Sequence, residues 1–167
     1  MLIDSTFNHR SDSLLGRQHF QTAYVTTDLD QAAAMLGEMY GIKEFYVTRD
    51  FPFPMGGFLD TAMAWAGNVN IEIVQGRGNR NSIFERGLPE SGFALKHHHF
   101  GYVIPDQASW DSLVQTIEKE KRDIVFSGSL PEGLDWIYID APELGHYLEY
   151  VRPHQAWIDL FESLPRY

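Results

Sequence analysis

The sequence predicts an α+β fold built of two βαβββ modules. Three observations carry this expectation. The hydrophobic period switches between 2 and about 3.6 in the same order in both halves of the chain. A strand followed by an acidic helix cap occurs twice: Thr27-Asp28-Leu29 after the first strand is matched by Pro105-Asp106 after the fifth, about 78 positions on. A glutamate inside an apolar strand also occurs twice, Glu72 in IEIVQ and Glu149 in YLEYV, about 77 positions apart.

In chain order, residues 1–16 are polar with scattered apolar positions and form an N-terminal arm. The first module spans 17–76. His19 to Thr27 alternates as a strand, with Phe20, Thr22 and Tyr24 on one face and His19, Gln21, Ala23 and Val25 on the other. Thr27 or Asp28 caps a helix whose apolar stripe is Leu29, Ala32, Ala33, Leu36, Met39 and Tyr40, stopped by Gly41. Lys43 to Thr48 reads as a second strand and RDFPFPMGG as a loop. Phe58 to Trp65 and Val69 to Gln75 form a hairpin with Gly67-Asn68 at its turn. Residues 77–95 are a glycine-rich linker placed to act as a lid.

The second module spans 96–152. His97 to Ile104 is a strand, with Phe100, Tyr102 and Ile104 on one face and His97, His99, Gly101 and Val103 on the other. Asp106 opens a helix with the stripe Trp110, Leu113, Val114 and Ile117. Asp123 to Ser127 is a strand, SGSLPEG a turn, and Leu134 to Asp140 and His146 to Val151 a further pair. Pro153 starts a C-terminal helix over 153–167 with Trp157, Ile158, Leu160 and Phe161 apolar. The whole is expected to be a single domain.

Composition narrows the function. The net charge of −10 and pI near 5.0 argue against nucleic acid or an anionic membrane as partner. With no cysteine, disulfides, thiolate zinc sites and cysteine nucleophiles are all excluded, and a reducing cytoplasm is the expected location. No apolar run approaches the roughly 20 residues that span a bilayer, and the N-terminus does not read as a signal peptide.

The repeat then gathers four side chains. At its offset Gln21 falls opposite His99, and Glu72 opposite Glu149. Each glutamate sits between apolar neighbours, Ile71 and Ile73 or Leu148 and Tyr150, and so faces away from the apolar side of its strand. Two carboxylates, an imidazole and an amide oxygen facing a cavity suit a five- or six-coordinate divalent ion with open positions, such as Zn, Ni, Co or Mn. A carboxylate facing a cavity is costly unless it is paired or ligated.

These residues carry a family resemblance. FQTAYVTTDLD, IEIVQ, HFGYVIPD and GHYLEYV, in that order and spacing, make residues 18–152 resemble the vicinal oxygen chelate superfamily. It includes glyoxalase I, methylmalonyl-CoA epimerase, fosfomycin and bleomycin resistance proteins and extradiol dioxygenases. The resemblance implies a glyoxalase-like fold, with the two modules forming a curved mixed sheet around a cavity, and metal ligands on the first and last strands of each module, which here are Gln21, Glu72, His99 and Glu149. The first position is more often His in the superfamily, and His19, two residues earlier on the same face, is the alternative first ligand. Glyoxalase I of the animal type uses a Gln, Glu, His, Glu set. His97 is placed at the rim, and His98 on the opposite face.

The resemblance further implies a metal-dependent lyase or isomerase that stabilises an enediolate or enolate of a small oxygen-rich substrate, with Glu149 or Glu72 moving the proton. The sequence shows no clear arrangement of basic residues for the carboxylates of glutathione; Arg77, Arg80 and Arg86 in the linker are the only candidates, and arginines in a polar loop are usually solvated. Tyr147, Trp136 and Tyr138 would suit a bulkier or aromatic substrate. The alternative is a non-catalytic binding or resistance protein of the same fold that sequesters a small molecule. A homodimer is expected in either case.

Overall fold

A computed structural model of the chain describes residues 2–10, 12–131 and 133–167. Met1, Ser11 and Glu132, which fall in the expected arm and in the SGSLPEG turn, lie outside the described residues. The elements are β1 (Gln18–Thr26), α1 (Leu29–Tyr40), β2 (Tyr46–Pro52), β3 (Phe58–Ala66), β4 (Val69–Arg77), β5 (Leu95–Val103), α2 (Gln107–Glu120), β6 (Ile124–Leu130), β7 (Leu134–Ala141), β8 (His146–Pro153) and α3 (Gln155–Ser163). The order is βαβββ twice, then a helix. The hydrogen-bonded strand order is β2-β3-β4-β1-β5-β8-β7-β6. β1 and β4 run parallel, while β2–β3–β4 and β6–β7–β8 are antiparallel, so the sheet is mixed and the expected α+β class holds. Among the described residues, no helix is long and apolar enough to cross a membrane.

The chain divides into two compact units, Gln21–His99 with Leu164–Tyr167, and Met1–Phe20 with Phe100–Ser163. The division cuts β1 after Phe20 and β5 after His99.

In the first of these units α1 starts where Asp28 accepts a hydrogen bond from the Gln31 amide at 2.9 Å. The Leu29 amide, another unsatisfied donor of the first turn, reaches the Gln75 side chain on β4. Gly41 ends the helix at φ 75°, a conformation that favours glycine. Leu29, Ala32 and Leu36 pack on Ala62 of β3 and Ile73 of β4. Met39, expected on this stripe, is instead 74% exposed. The stripe ends at Gly37, over which the chain returns so closely that a Cβ there would lie 2.9 Å from the Ile42 carbonyl.

β2 starts three residues later than its alternation suggested, because Ile42 and Phe45 are drawn into the core beneath α1. It then runs on through Phe51-Pro52, which were expected in a loop. The extension depends on a bulge between Thr48 and Phe51, where Asp50 takes φ 55° and its amide donates to Asp60. β2 lies at one end of the strand order, where a proline costs no ladder bond. Between β4 and β5 the expected linker is anchored, with Ile83, Phe84 and Leu88 all buried.

In the other unit Asp106 caps α2 by accepting from the Ser109 amide at 2.7 Å. Leu113 and Ile117 bury against Ile137 and Ile139 of β7 and Leu148 and Tyr150 of β8, with Trp110 and Val114 at the margin. The SGS of the expected turn is strand, because β6 pairs with β7 out to Leu130. Gly128 is required there, since a Cβ would lie 2.4 Å from the Trp136 ring. Pro153 closes β8 opposite Leu134 rather than opening the helix. α3 begins after it, where the His154 carbonyl accepts from the Trp157 and Ile158 amides. The N-terminal arm is tied down: the Leu2 amide donates to Glu162, its carbonyl accepts from Gln18, and Leu2 and Leu14 are buried.

Two stability outcomes are expected. Gly41→Ala should cost about 1–2 kcal/mol in urea unfolding, since nothing crowds the position and only the left-handed backbone is penalised. Asp135 of β7 lies opposite Arg152 of β8 and is paired with it at 2.6 Å. Burial alone would raise the Asp135 pKa, but hydrogen bonds from Ser129 and Arg152 hold it below the usual 3.8. A depressed folded-state pKa gives stability that is present above the unfolded value and is lost as pH falls through the folded one. Arg152→Met should therefore destabilise by about 1–3 kcal/mol at pH 7 and flatten the loss of stability below pH ~4.

Candidate metal centre

The side chains expected to hold a metal in the Gln21–His99 unit come from three strands. Gln21 lies on β1 and is 2% exposed. Glu72 lies on β4, opposite Ala23 of β1 and Met63 of β3, with its side chain 15% exposed. Alternation explains its direction: Ile71 and Ile73 face the α1 core, which turns Asn70, Glu72 and Val74 the other way. His99 lies on β5 and is fully buried.

The structure brings these three together. His99 Nε2 is 3.3 Å from Gln21 Oε1 and 3.5 Å from Glu72 Oε2. Two ligands each about 2.1 Å from a common cation lie about 3.0 Å apart at a right angle and about 3.4 Å apart at the tetrahedral angle. The spacing and the donor chemistry (imidazole nitrogen, amide oxygen, carboxylate oxygen) both fit a divalent ion of the Zn, Ni, Co or Mn type. Among the described residues there is no group of three or more His, Cys, Asp or Glu side chains that could hold a metal. The trio here contains only two such residues, and the amide of Gln21 completes it.

Gln21 is oriented from behind. Its Nε2 donates to Asn70 Oδ1 at 3.0 Å, and Asn70 Nδ2 donates in turn to the Ala64 carbonyl at 3.3 Å. With the amide nitrogen committed to Asn70, Oε1 is the atom turned to His99. Sequence reasoning passed over Asn70, although its place two residues before Glu72 in the same strand puts it on the same face.

His98 is a second departure. Alternation sends it to the face opposite His99, yet the two Nδ1 atoms meet at 2.8 Å. Its other nitrogen, Nε2, lies 2.9 Å from the Ile83 carbonyl, and its ring stacks on Phe84 at 5.1 Å. Burial, and then the neighbouring His99, hold His98 well below the usual imidazole range.

The remaining expected residues lie as follows. Glu149 is on β8, opposite Tyr138 of β7 and 8% exposed. His19 packs edge-on against Phe100 at 5.0 Å and Tyr102 at 5.7 Å in the other unit. His97 is half-buried with its ring 5.9 Å from Tyr24. Arg77 pairs with Asp60 and Asp50, and Arg80 donates to the Leu88 and Pro89 carbonyls. Trp136 packs over Gly128 and beside Phe126.

No protein-family model matches the chain, and no curated protein matches it. Solved structures do. Methylmalonyl-CoA epimerase from Mycobacterium tuberculosis superposes with a TM-score of 0.62 at 14% identity, over 88% of this chain and 94% of that one. A single-substitution variant of the Streptomyces coelicolor methylmalonyl-CoA epimerase, in complex with 2-nitronate-propionyl-CoA, gives 0.58 at 14% identity, over 82% and 97%. A methylmalonyl-CoA epimerase in complex with methylmalonyl-CoA and NH4+ gives 0.59 at 14% identity, over 83% and 96%. The fold is therefore the one these epimerases share.

Asn70→Leu should test the orientation of Gln21. It removes the acceptor of the Gln21 amide within a buried site, with an expected loss of about 1–3 kcal/mol in denaturant unfolding.

Proposed function

We propose that the chain is a divalent-metal-dependent enzyme of the lyase or isomerase type, which moves a proton at a carbon beside a carbonyl in a small oxygen-rich substrate. The approach of Gln21 Oε1 to 3.3 Å and of Glu72 Oε2 to 3.5 Å from His99 Nε2 carries this proposal. Glu149 enters it from the sequence repeat alone, as the counterpart of Glu72. A bound divalent metal would supply Lewis-acid polarisation of the substrate carbonyl.

The chain's own residues supply the rest. His99 and Gln21, both buried, hold fixed donor atoms, so little reorganisation is needed when charge develops on the substrate. Glu72 is the less buried member, and its carboxylate, or that of Glu149, is the base that takes the proton and returns it. The shared fold supports this class of chemistry: one related epimerase structure holds a nitronate, a planar delocalised anion like an enolate. Substrate, homodimer and cytoplasmic location belong to the same proposal.

The test begins with protein purified without a histidine tag or metal column. One divalent ion per chain is expected after titration with Zn, Ni, Co and Mn, with affinity about 10–100-fold weaker in Gln21→Leu. Metal-loaded protein offered methylmalonyl-CoA or 2-oxoaldehyde hemithioacetals in D2O should place deuterium at the carbon beside the carbonyl. Glu72→Gln should slow that exchange by about 100-fold or more. Absence of stoichiometric metal, together with small-molecule binding that survives Glu72→Gln and Glu149→Gln, would overturn the enzyme reading in favour of a sequestering protein.

A further inference from the structure

His98 and the segment between β4 and β5 are not accounted for by the three donor atoms. The Ile83 carbonyl can only accept a hydrogen bond, so the 2.9 Å contact places a hydrogen on His98 Nε2. His98 is 5% exposed and stacked on Phe84, surroundings that penalise a charged ring, so its Nδ1 carries a lone pair. The 2.8 Å approach of the two Nδ1 atoms then requires the hydrogen on His99 Nδ1. With its Nδ1 hydrogen committed to His98, His99 turns Nε2 to Gln21 and Glu72, and Nε2 is the nitrogen left for a metal.

We propose that His98 is a positioning residue: through the chain Ile83 carbonyl, His98, His99 it holds the hydrogen on His99 Nδ1 and ties the metal-facing Nε2 to the segment that precedes β5. Its relevance to metal rests on the function proposed above, whereas the tautomer itself does not. The same chain of bonds makes that segment part of the site. Ile83 sits in a short run of turns held by the Ser82 carbonyl, which accepts from the Glu85 and Arg86 amides. Phe84 stacks under the His98 ring and Leu88 is buried close by in sequence. Loosening of this run would release the acceptor of His98 Nε2, and with it the preference of His99 for one tautomer. Ligation at His99 Nε2 would, by linkage, stabilise the run.

The experiment has a metal-free arm and a metal arm, both on the full chain. Long-range proton–nitrogen spectra of 15N-histidine-labelled, metal-free protein should show His99 with a protonated Nδ1. In His98→Phe, which keeps the ring on Phe84 but lacks both nitrogens, that pattern should give way to a mixture of tautomers. Affinity for Zn or Co should weaken about 10–100-fold. His98→Asn places an oxygen where Nδ1 was, and should recover most of the affinity. Amide exchange of Glu85 and Arg86 should slow on adding metal to the wild type and be unaffected by metal in His98→Phe. A wild-type His99 with no hydrogen on Nδ1 would overturn the inference whether or not any variant folds. So would a His98→Phe protein that binds metal as tightly as the wild type. The wild-type tautomer seen in a protein that binds no metal would support the positioning by His98 and overturn the proposed function instead.

Discussion

Four polar side chains on three strands are almost wholly removed from water, and the rest of the Gln21–His99 unit is arranged to keep them paired. Gln21, Asn70, His98 and His99 are each 5% exposed or less. An amide or imidazole taken out of water without a partner costs about 1–3 kcal/mol, so the pairs among them constrain the strands that carry them. Asn70 lies directly opposite Gln21 in the β1–β4 register, and the bond between their side chains holds only in that register. A slip by one residue would turn Ile71 and Ile73 away from α1 and put Glu72 into the hydrocarbon core. The polar face and the apolar face of β4 thus specify the same pairing.

The segment between β4 and β5 belongs to this arrangement. Ile83, Phe84 and Leu88 are buried, and the backbone carbonyl of Ile83 supplies the end of a hydrogen-bond chain that starts at His99. Outside any strand ladder, the Ile83 carbonyl is available to the His98 ring.

Much of this was legible in the sequence, for a definite reason. Period-2 alternation and a repeat offset near 77 or 78 are enough to put Gln21, Glu72 and His99 on the faces they occupy, since the face of a strand residue depends on parity alone. Asp28, Asp106 and Gly41 marked the helix ends because caps are local chemistry. What stayed hidden depends on contacts distant in sequence. The bulge at Asp50 is stabilised by Asp60 and Arg77, so the start and end of β2 could not be read from the strand itself. Pro153 signals a helix start in isolation, yet it closes β8 opposite Leu134. The meeting of His98 with His99 runs against simple alternation and depends on a carbonyl fifteen residues away. An identity of 14% to an epimerase of the same fold makes the same point: the fold is shared where most of the residues are not.

The division of the chain into units also bears on how it is made. Residues Met1–Phe20 belong with Phe100–Ser163, and Gln21–His99 with Leu164–Tyr167. Neither unit is a continuous stretch. On a ribosome, β3 would emerge long before Pro165 and Tyr167, whose backbones bond to Trp65. Leu2 and Leu14 would wait still longer for the partners that bury them, since Glu162 and Tyr150 are synthesised much later. Pairings so distant along the chain are slow to form and leave apolar surface uncovered meanwhile. Neither unit can therefore be completed until most of the chain has been made.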